Sequence, residues 1–237
     1  MFIKILIKIS DYLPIEIVRH MANLIINKLL NRYACINVDG YENLKDVVRP
    51  IIFICNHLSN ADALVLNKVL LNENITFVSG VKLSSNSYTK LGTIAINTTS
   101  IIPNSADISG LKKIIKLLKD GKSILIFPEG TRSRNGSMIE GKKGVVMIKN
   151  LTNASIVPIG LAGTEKLLPI NEDNMAKEKF QHAIINIQIG KPIQFQDKDA
   201  KETKKEYEEK ILNILMSNIA TLLPKEYRGV YSGVLKE

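Results

Sequence analysis

The 237-residue sequence has no tryptophan, three histidines and two cysteines. Aromatic residues make up only 5%, so the core has to be built from Ile, Leu and Val. A hydrophobic content of 45% is enough to supply that core and excludes a wholly disordered chain. Cys35 and Cys55 give neither a disulfide framework nor paired metal-ligand spacing, and fit a reducing compartment. His20, His57 and His182 are scattered, with no H-x-x-H or C-x-x-C pair, so no metal is expected. There is no G-x-S-x-G, which excludes a nucleophile-elbow hydrolase, and no G-x-G-x-x-G. The run "GSMIEGKK" (Gly136–Lys143) has P-loop spacing but puts Lys143 where a Mg²⁺-binding Ser or Thr belongs, and no strand precedes it. No cofactor is expected.

Long apolar runs are also missing. No uninterrupted stretch approaches the roughly 18–20 residues that a membrane-spanning helix needs. The N-terminus, "MFIKILIKISDYLPIEIVRHMANLIINKLLNRYA", is apolar but broken by Lys4, Lys8, Glu16, Arg19, Asn23, Asn27 and Lys28. It also lacks the long apolar stretch and small-residue cleavage site of a signal peptide. After Pro14, Ile17, Val18, Met21, Leu24, Ile25 and Leu29 recur at helical spacing. The expectation is that residues 1–35 form two amphipathic helices hinged near Asp11–Pro14. These lie in a bilayer interface with basic side chains at the headgroups, pack one face on the core, or do both. Residues 36–237 then form one α/β domain.

The net charge of +9 is concentrated. Leu111–Lys149 holds ten basic residues opposed only by Asp120, Glu129 and Glu140, a net of +7. Such a field attracts phosphate on a lipid surface, a substrate or a nucleic acid. Nucleic-acid readers interleave aromatics with their basic residues, and the lysine-rich Leu111–Lys119 has none, so nucleic acid is not expected as a partner.

From Pro50 onward, apolar runs alternate with helical patterns. Strands are expected at Ile51–Cys55, Ile75–Ser79, Thr93–Ile96, Ser123–Phe127, Ser155–Leu161 and Ala183–Gly190. Helices are expected at Ala61–Leu71, Ser105–Lys119, Gly144–Leu151 and Asp199–Leu222. In the second of these, Ile108, Leu111, Ile114, Ile115 and Leu118 line one face and lysines the other. The alternation predicts an α/β fold with a mostly parallel central sheet flanked by helices, preceded by the amphipathic N-terminal membrane-docking segment. Ligands of such sheets bind outside the carboxyl ends of the strands.

Two segments leave strands at those ends. In "ICNHLSNADALVL" (Ile54–Leu66), His57 and Asp62 are five residues apart. On one continuous helix they would diverge by about 140°. They meet only if His57 lies before the helix, with Ser59 or Asn60 as N-cap and Asp62 in the first turn. His57 then donates one ring N–H to Asp62 and presents the other nitrogen as a base. Alternatively, Asp62 only caps the helix and His57 only satisfies a strand end. The second segment, "FPEGTRSRNG" (Phe127–Gly136), combines a chain-turning Pro, a carboxylate, a Gly that permits close backbone approach, a hydroxyl and two guanidiniums. Arg132 suits bidentate phosphate binding, and amides near Gly130 and Thr131 add donors. Cys55 is a rival nucleophile, because a strand running on to His57 would point both side chains to one side.

Together these segments resemble the glycerolipid acyltransferase family, the lysophosphatidic acid acyltransferases. The resemblance rests on Asn56-His57 with Asp62, on "FPEGTRS" (Phe127–Ser133) and on "VPI" (Val157–Ile159), and covers roughly Pro50–Pro192. It implies transfer of a fatty acyl chain from an acyl carrier protein or coenzyme A thioester to the hydroxyl of a lysophospholipid acceptor. This would occur peripherally on anionic lipid at the cytoplasmic face of the cell membrane. It also implies that His57 is the general base and Asp62 its orienting partner. Glu129, Gly130, Thr131 and Arg132 would shape the acceptor site with Arg132 on the phosphate, and Asn56 and Lys82 would contribute to binding. One block departs from the family pattern. In "GTIAINT" (Gly92–Thr98), Asn97 replaces an acid and Thr98 an arginine, which removes a cation: either Lys90, Lys142 or Lys143 replaces it, or the acceptor carries a different headgroup.

Overall fold

The computed structural model describes residues 13–80, 92, 94–102, 107–171 and 178–233. Helix α1 spans Ile15–Tyr33 and runs straight into β1 (Ala34–Asp39). Then follow β2 (Ile51–Cys55), α2 (Asp62–Val69), β3 (Thr76–Gly80), β4 (Thr98–Ile101), α3 (Ile108–Lys119) and β5 (Ile124–Ile126). The chain continues through α4 (Gly144–Asn150), β6 (Ser155–Ala162), the short α5 (Thr164–Leu167), β7 (Ala183–Ile189) and α6 (Lys204–Thr221). The expected first amphipathic helix, Lys82 and Lys90 lie outside the described residues.

The seven strands form one sheet in the order β1-β7-β6-β2-β5-β3-β4. Every neighbouring pair is parallel except β6–β7. Helices cover both faces, which is why the central strands are continuously apolar rather than alternating. Ile51, Phe53 and Cys55 of β2 face a core shared with Ala22, Ile26 and Leu30 of α1 and with Val65 and Leu66 of α2. Ile52 and Ile54 face the opposite core, with Ile114 and Leu118 of α3 and Leu215 and Ile219 of α6. Truncating Phe53, which is fully buried, costs about 3–5 kcal/mol.

Local chemistry sets the helix ends. Asp107 accepts N–H bonds from Gly110 and Ile102 and starts α3. Thr203 and Glu206 form a capping box that starts α6 at Lys204, later than the expected Asp199. The end of α6 lies on β6, where a Cβ on Gly160 would come within 2.7 Å of Leu222. The C-terminal helix therefore packs on the sheet.

Three expectations change. The third strand is not Thr93–Ile96, because Ile94 and Ala95 are helical and the strand begins at Thr98. A four-residue apolar run does not by itself distinguish helix from strand. On α3, Ile108 is exposed rather than on the buried face. On α1, the buried stripe is Val18, Ala22, Ile26 and Leu30, while Ile15, Ile17 and Leu24 face outward. The helix thus packs on the core and still presents apolar side chains to its surroundings. Among the described residues, no helix is long and apolar enough to cross a membrane.

Candidate active site

Strands β2 and β5 are adjacent and parallel, so the chain leaves both at the same rim of the sheet. After β2 it turns through Asn56, His57, Leu58 and Ser59 before α2 begins at Asp62. This turn lets His57 fold back, and its Nδ1 lies 2.7 Å from Asp62 Oδ2. The same oxygen accepts the backbone N–H of Leu58 at 2.7 Å and of Ser59 at 2.9 Å. Asp62 is fully buried, and its Oδ1 has no hydrogen-bond partner among the described residues. The His57 side chain keeps 20% of its surface exposed, so the ring reaches the outside while its partner does not. Phe127 stacks on the ring with centroids 4.1 Å apart and planes 16° from parallel, which fixes its orientation from the β5 side.

The loop after β5 is joined to the His57 turn through backbone. His57 N–H donates to Glu129 Oε1 at 2.9 Å, and Ser133 N–H donates to the His57 carbonyl at 2.8 Å. Glu129 Oε2 accepts Ile139 N–H at 2.9 Å. Burial pushes the Glu129 pKa up to about 7, the two N–H bonds pull it down, and the Asp62 charge adds to the rise. Gly130 sits at φ +70, a left-handed conformation that favours glycine, and Gly130 and Thr131 are exposed. A Cβ at Gly130 would lie 3.5 Å from Lys142 Cγ, so the stem of Lys142 passes beside this loop. Lys143 points elsewhere and donates to Glu209 on α6 at 3.2 Å.

Arg132 Nη1 donates to Glu178 Oε1 at 3.0 Å, and Asn60 Nδ2 donates to Glu178 Oε2 at 2.7 Å. The rim thus gathers His57, Asp62, Gly130, Thr131, Arg132 and Lys142. Two expected contact residues are placed differently. Asn56 is fully buried, donating to the Leu161 carbonyl at 2.8 Å and accepting Leu161 N–H at 2.9 Å, so it ties the end of β2 to β6. Glu129 is fully buried as well, with both oxygens spent on backbone. Both support the site instead of facing a substrate. Neither Ser59 nor Asn60 caps α2 with its side chain. Ser59 Oγ donates to the Leu168 carbonyl and accepts Ala61 N–H. Cys55 is fully buried, and burial, with Asp62 and Glu129, pushes its thiol pKa well up. That is the opposite of what a nucleophilic thiolate needs, so Cys55 is a core residue. Among the described residues, no group of three or more His, Cys, Asp or Glu side chains could hold a metal ion.

Sequence reasoning missed the roles of Phe127, Asn60 and Glu178. Phe127 heads the Phe127–Ser133 segment, but only the tertiary turn brings it over the imidazole. Glu178 lies 46 positions from Arg132 in a stretch with no pattern to mark it.

A match to the Acyltransferase family spans residues 35–162, more than half of the chain. The chain belongs to the Acyltransferase family. It is 31% identical over 163 residues to the chloroplastic 1-acyl-sn-glycerol-3-phosphate acyltransferase LPAT1 of Arabidopsis thaliana, covering 67% of this chain and 43% of that one. It is 26% identical over 142 residues to the 1-acyl-sn-glycerol-3-phosphate acyltransferase of Bacillus subtilis, covering 60% of this chain and 66% of that one. This Acyltransferase-family chain spans about half the length of the first curated relatives it matches. Its fold is shared with the crystal structure of the 1-acyl-sn-glycerophosphate acyltransferase PlsC from Thermotoga maritima. The TM-score is 0.58 at 21% identity, covering 91% of this chain and 87% of that one. The matched region holds β1 to β6, and with them both loops of the rim.

Proposed function

We propose that the chain transfers a fatty acyl group from an acyl thioester to the free hydroxyl of 1-acyl-glycerol-3-phosphate, forming phosphatidic acid. The observation that carries this reading is the His57–Asp62 pair, 2.7 Å apart, with Arg132 on the same rim. The printed names of the relatives support the substrate class. Because Nδ1 faces Asp62, Nε2 is the nitrogen left for the substrate. Nε2 takes the hydroxyl proton as the oxygen attacks the thioester carbonyl carbon. Asp62, hydrogen-bonded to Nδ1, offsets the imidazolium charge. The tetrahedral intermediate collapses, the C–S bond breaks, and the imidazolium returns the proton to the leaving thiolate. Arg132, the exposed backbone at Gly130 and Thr131, and Lys142 hold the phosphate. Lys142 takes the place of the cation that Thr98 does not supply. Lys82 keeps the binding role that the family resemblance gives it.

The donor is an acyl carrier protein or coenzyme A thioester. Residues 1–35 dock the chain on anionic lipid at the cytoplasmic face of the cell membrane, while α1 and the start of β1 also belong to the α/β catalytic domain. Docking spares the enzyme from extracting a long acyl chain, which costs about 0.8 kcal/mol for each CH₂. The test is purified protein assayed with labelled acyl thioesters against a panel of lysophospholipids, with His57→Ala beside it. Phosphatidic acid formed by the wild type and not by the variant is expected. Equal turnover by the two proteins would remove His57 from the mechanism, and no turnover with any acceptor would remove the enzyme reading.

A further inference from the structure

Glu178 has no part in the acyl-transfer chemistry, yet it joins the two loops that build the site. Asn60 comes from the turn after β2 and Arg132 from the loop after β5. Both donate to this one carboxylate, at 2.7 and 3.0 Å. The Glu178 side chain is only 3% exposed and Arg132 18%, so little solvent screens the pair. A guanidinium and an amide between them satisfy both oxygens of this buried carboxylate. Its consequence for function is electrostatic. The guanidinium assigned above to the acceptor's phosphate already faces an anion through Nη1. The rest of its fork is uncommitted among the described residues.

We propose that Glu178 sets the affinity of this site for phosphate, because its carboxylate cancels part of the Arg132 charge and the acceptor binds against it. The inference rests on Arg132 being the phosphate ligand. An arriving phosphate either displaces Glu178 from Nη1 or sits on the free side of the fork a few ångströms from the carboxylate. Each course weakens binding, the first through loss of an ion pair and the second through repulsion between anions. A phosphomonoester dianion suffers more than a singly charged phosphodiester, so the residue also tunes selection by headgroup charge.

Glu178→Gln tests this. The glutamine oxygen still accepts from Arg132, and a flip of the Asn60 amide accepts from the new NH₂, so the geometry is kept and the charge is lost. The KM for 1-acyl-glycerol-3-phosphate is expected to fall about tenfold, the scale of one charge–charge repulsion at partly screened short range. A kcat within about twofold of the wild type is expected, because Glu178 touches no reacting atom. Competitive inhibition by inorganic phosphate should tighten in parallel. A folded Glu178→Gln protein with unchanged or higher KM overturns the proposal, since a purely structural strut predicts weaker binding when altered. Should that variant fail to fold, Glu178→Ser removes the charge without an amide to place and is expected to shift KM the same way. Calorimetric binding of 1-acyl-glycerol-3-phosphate to His57→Ala, with and without Glu178→Gln, requires no turnover. If the wild type acylates nothing, the acyl-transfer reading fails and this binding comparison alone decides the role of Glu178. If no phosphate binds in either background, the proposal falls with the Arg132 assignment.

Discussion

Replacing Asp62 by Asn separates the charge of the His57–Asp62 pair from its geometry. Three donors converge on Asp62 Oδ2: His57 Nδ1, Leu58 N–H and Ser59 N–H, at 2.7, 2.7 and 2.9 Å. The isosteric amide has one oxygen, and this convergence forces it into the Oδ2 position. The NH₂ then occupies the place of Oδ1, which has no partner among the described residues, so one partnerless atom replaces another. The imidazole keeps its orientation and its N–H on Nδ1. The fold keeps all three hydrogen bonds, now neutral instead of charge-assisted, at a cost of about 1–2 kcal/mol. What disappears is the negative charge that offsets the imidazolium as the proton transfers. At a charge separation of about 4 Å and an effective dielectric near 20, one such pair is worth about 4 kcal/mol. Partial exposure of the ring reduces this to roughly 3 kcal/mol, or about 10²-fold in rate. The expectation is therefore a kcat lowered about 10²-fold with acceptor KM little changed. The drop of about 10⁴ that accompanies a wrong tautomer in a serine-protease triad is not expected. The assay is initial-rate acyl transfer by purified protein, with a melting curve by circular dichroism as the control for folding. A folded Asp62→Asn enzyme within about fivefold of wild-type kcat would refute the claim that this carboxylate stabilises the transition state electrostatically.

Further outcomes follow from the same geometry. Glu129→Gln sets an NH₂ against the backbone N–H of either His57 or Ile139, so the variant should lose about 1–3 kcal/mol in urea unfolding. Burial raises the Glu129 pKa in the folded state to about 7, against 4.5 for an ordinary glutamate. Its stabilising contribution is therefore fully present below the ordinary range and is lost as pH rises through about 7, up to about 3 kcal/mol in all. The stability gap between wild type and Glu129→Gln should narrow over that window, and a gap independent of pH would contradict the burial argument. Cys55→Ala should keep turnover within about threefold while lowering stability by about 1 kcal/mol, as for a small buried side chain; loss of turnover would reinstate an acyl-cysteine. Ile17→Ser with Leu24→Ser changes only outward-facing positions of α1 and should reduce co-sedimentation with anionic vesicles severalfold at an unchanged melting temperature. Unaltered vesicle binding would remove α1 from membrane docking. Deleting residues 1–30 is a poorer test, because Val18, Ala22, Ile26 and Leu30 belong to the core.

The strands that carry the site were readable because they are buried on both faces and write themselves as apolar runs. Ile51–Cys55 is the clearest case, and its strand bounds match the expectation. β1 was not readable. It lies at the sheet edge with Cys35, Asn37, Val38 and Asp39 exposed, so burial imposes no pattern on it. The α6 start was legible only to within a few residues, since the capping box that sets it is a local competition among polar side chains. On α1, several positions at helical spacing were apolar, and the pattern alone did not choose which stripe meets the sheet.

Within the site, the sequence by itself determined which chemistry was available. A histidine after a strand, an aspartate five residues on and a Gly-Thr-Arg loop after a second strand are local facts, and local chemistry shapes those turns. Only the tertiary structure decided which groups face outward. It buried Asn56 and Glu129 and spent their polar atoms on Leu161, His57 and Ile139. It laid Phe127 on the imidazole and set Glu178 against Arg132. These outcomes depend on which strands become neighbours. Such pairing is a property of the whole sheet, so no short stretch of residues encodes it.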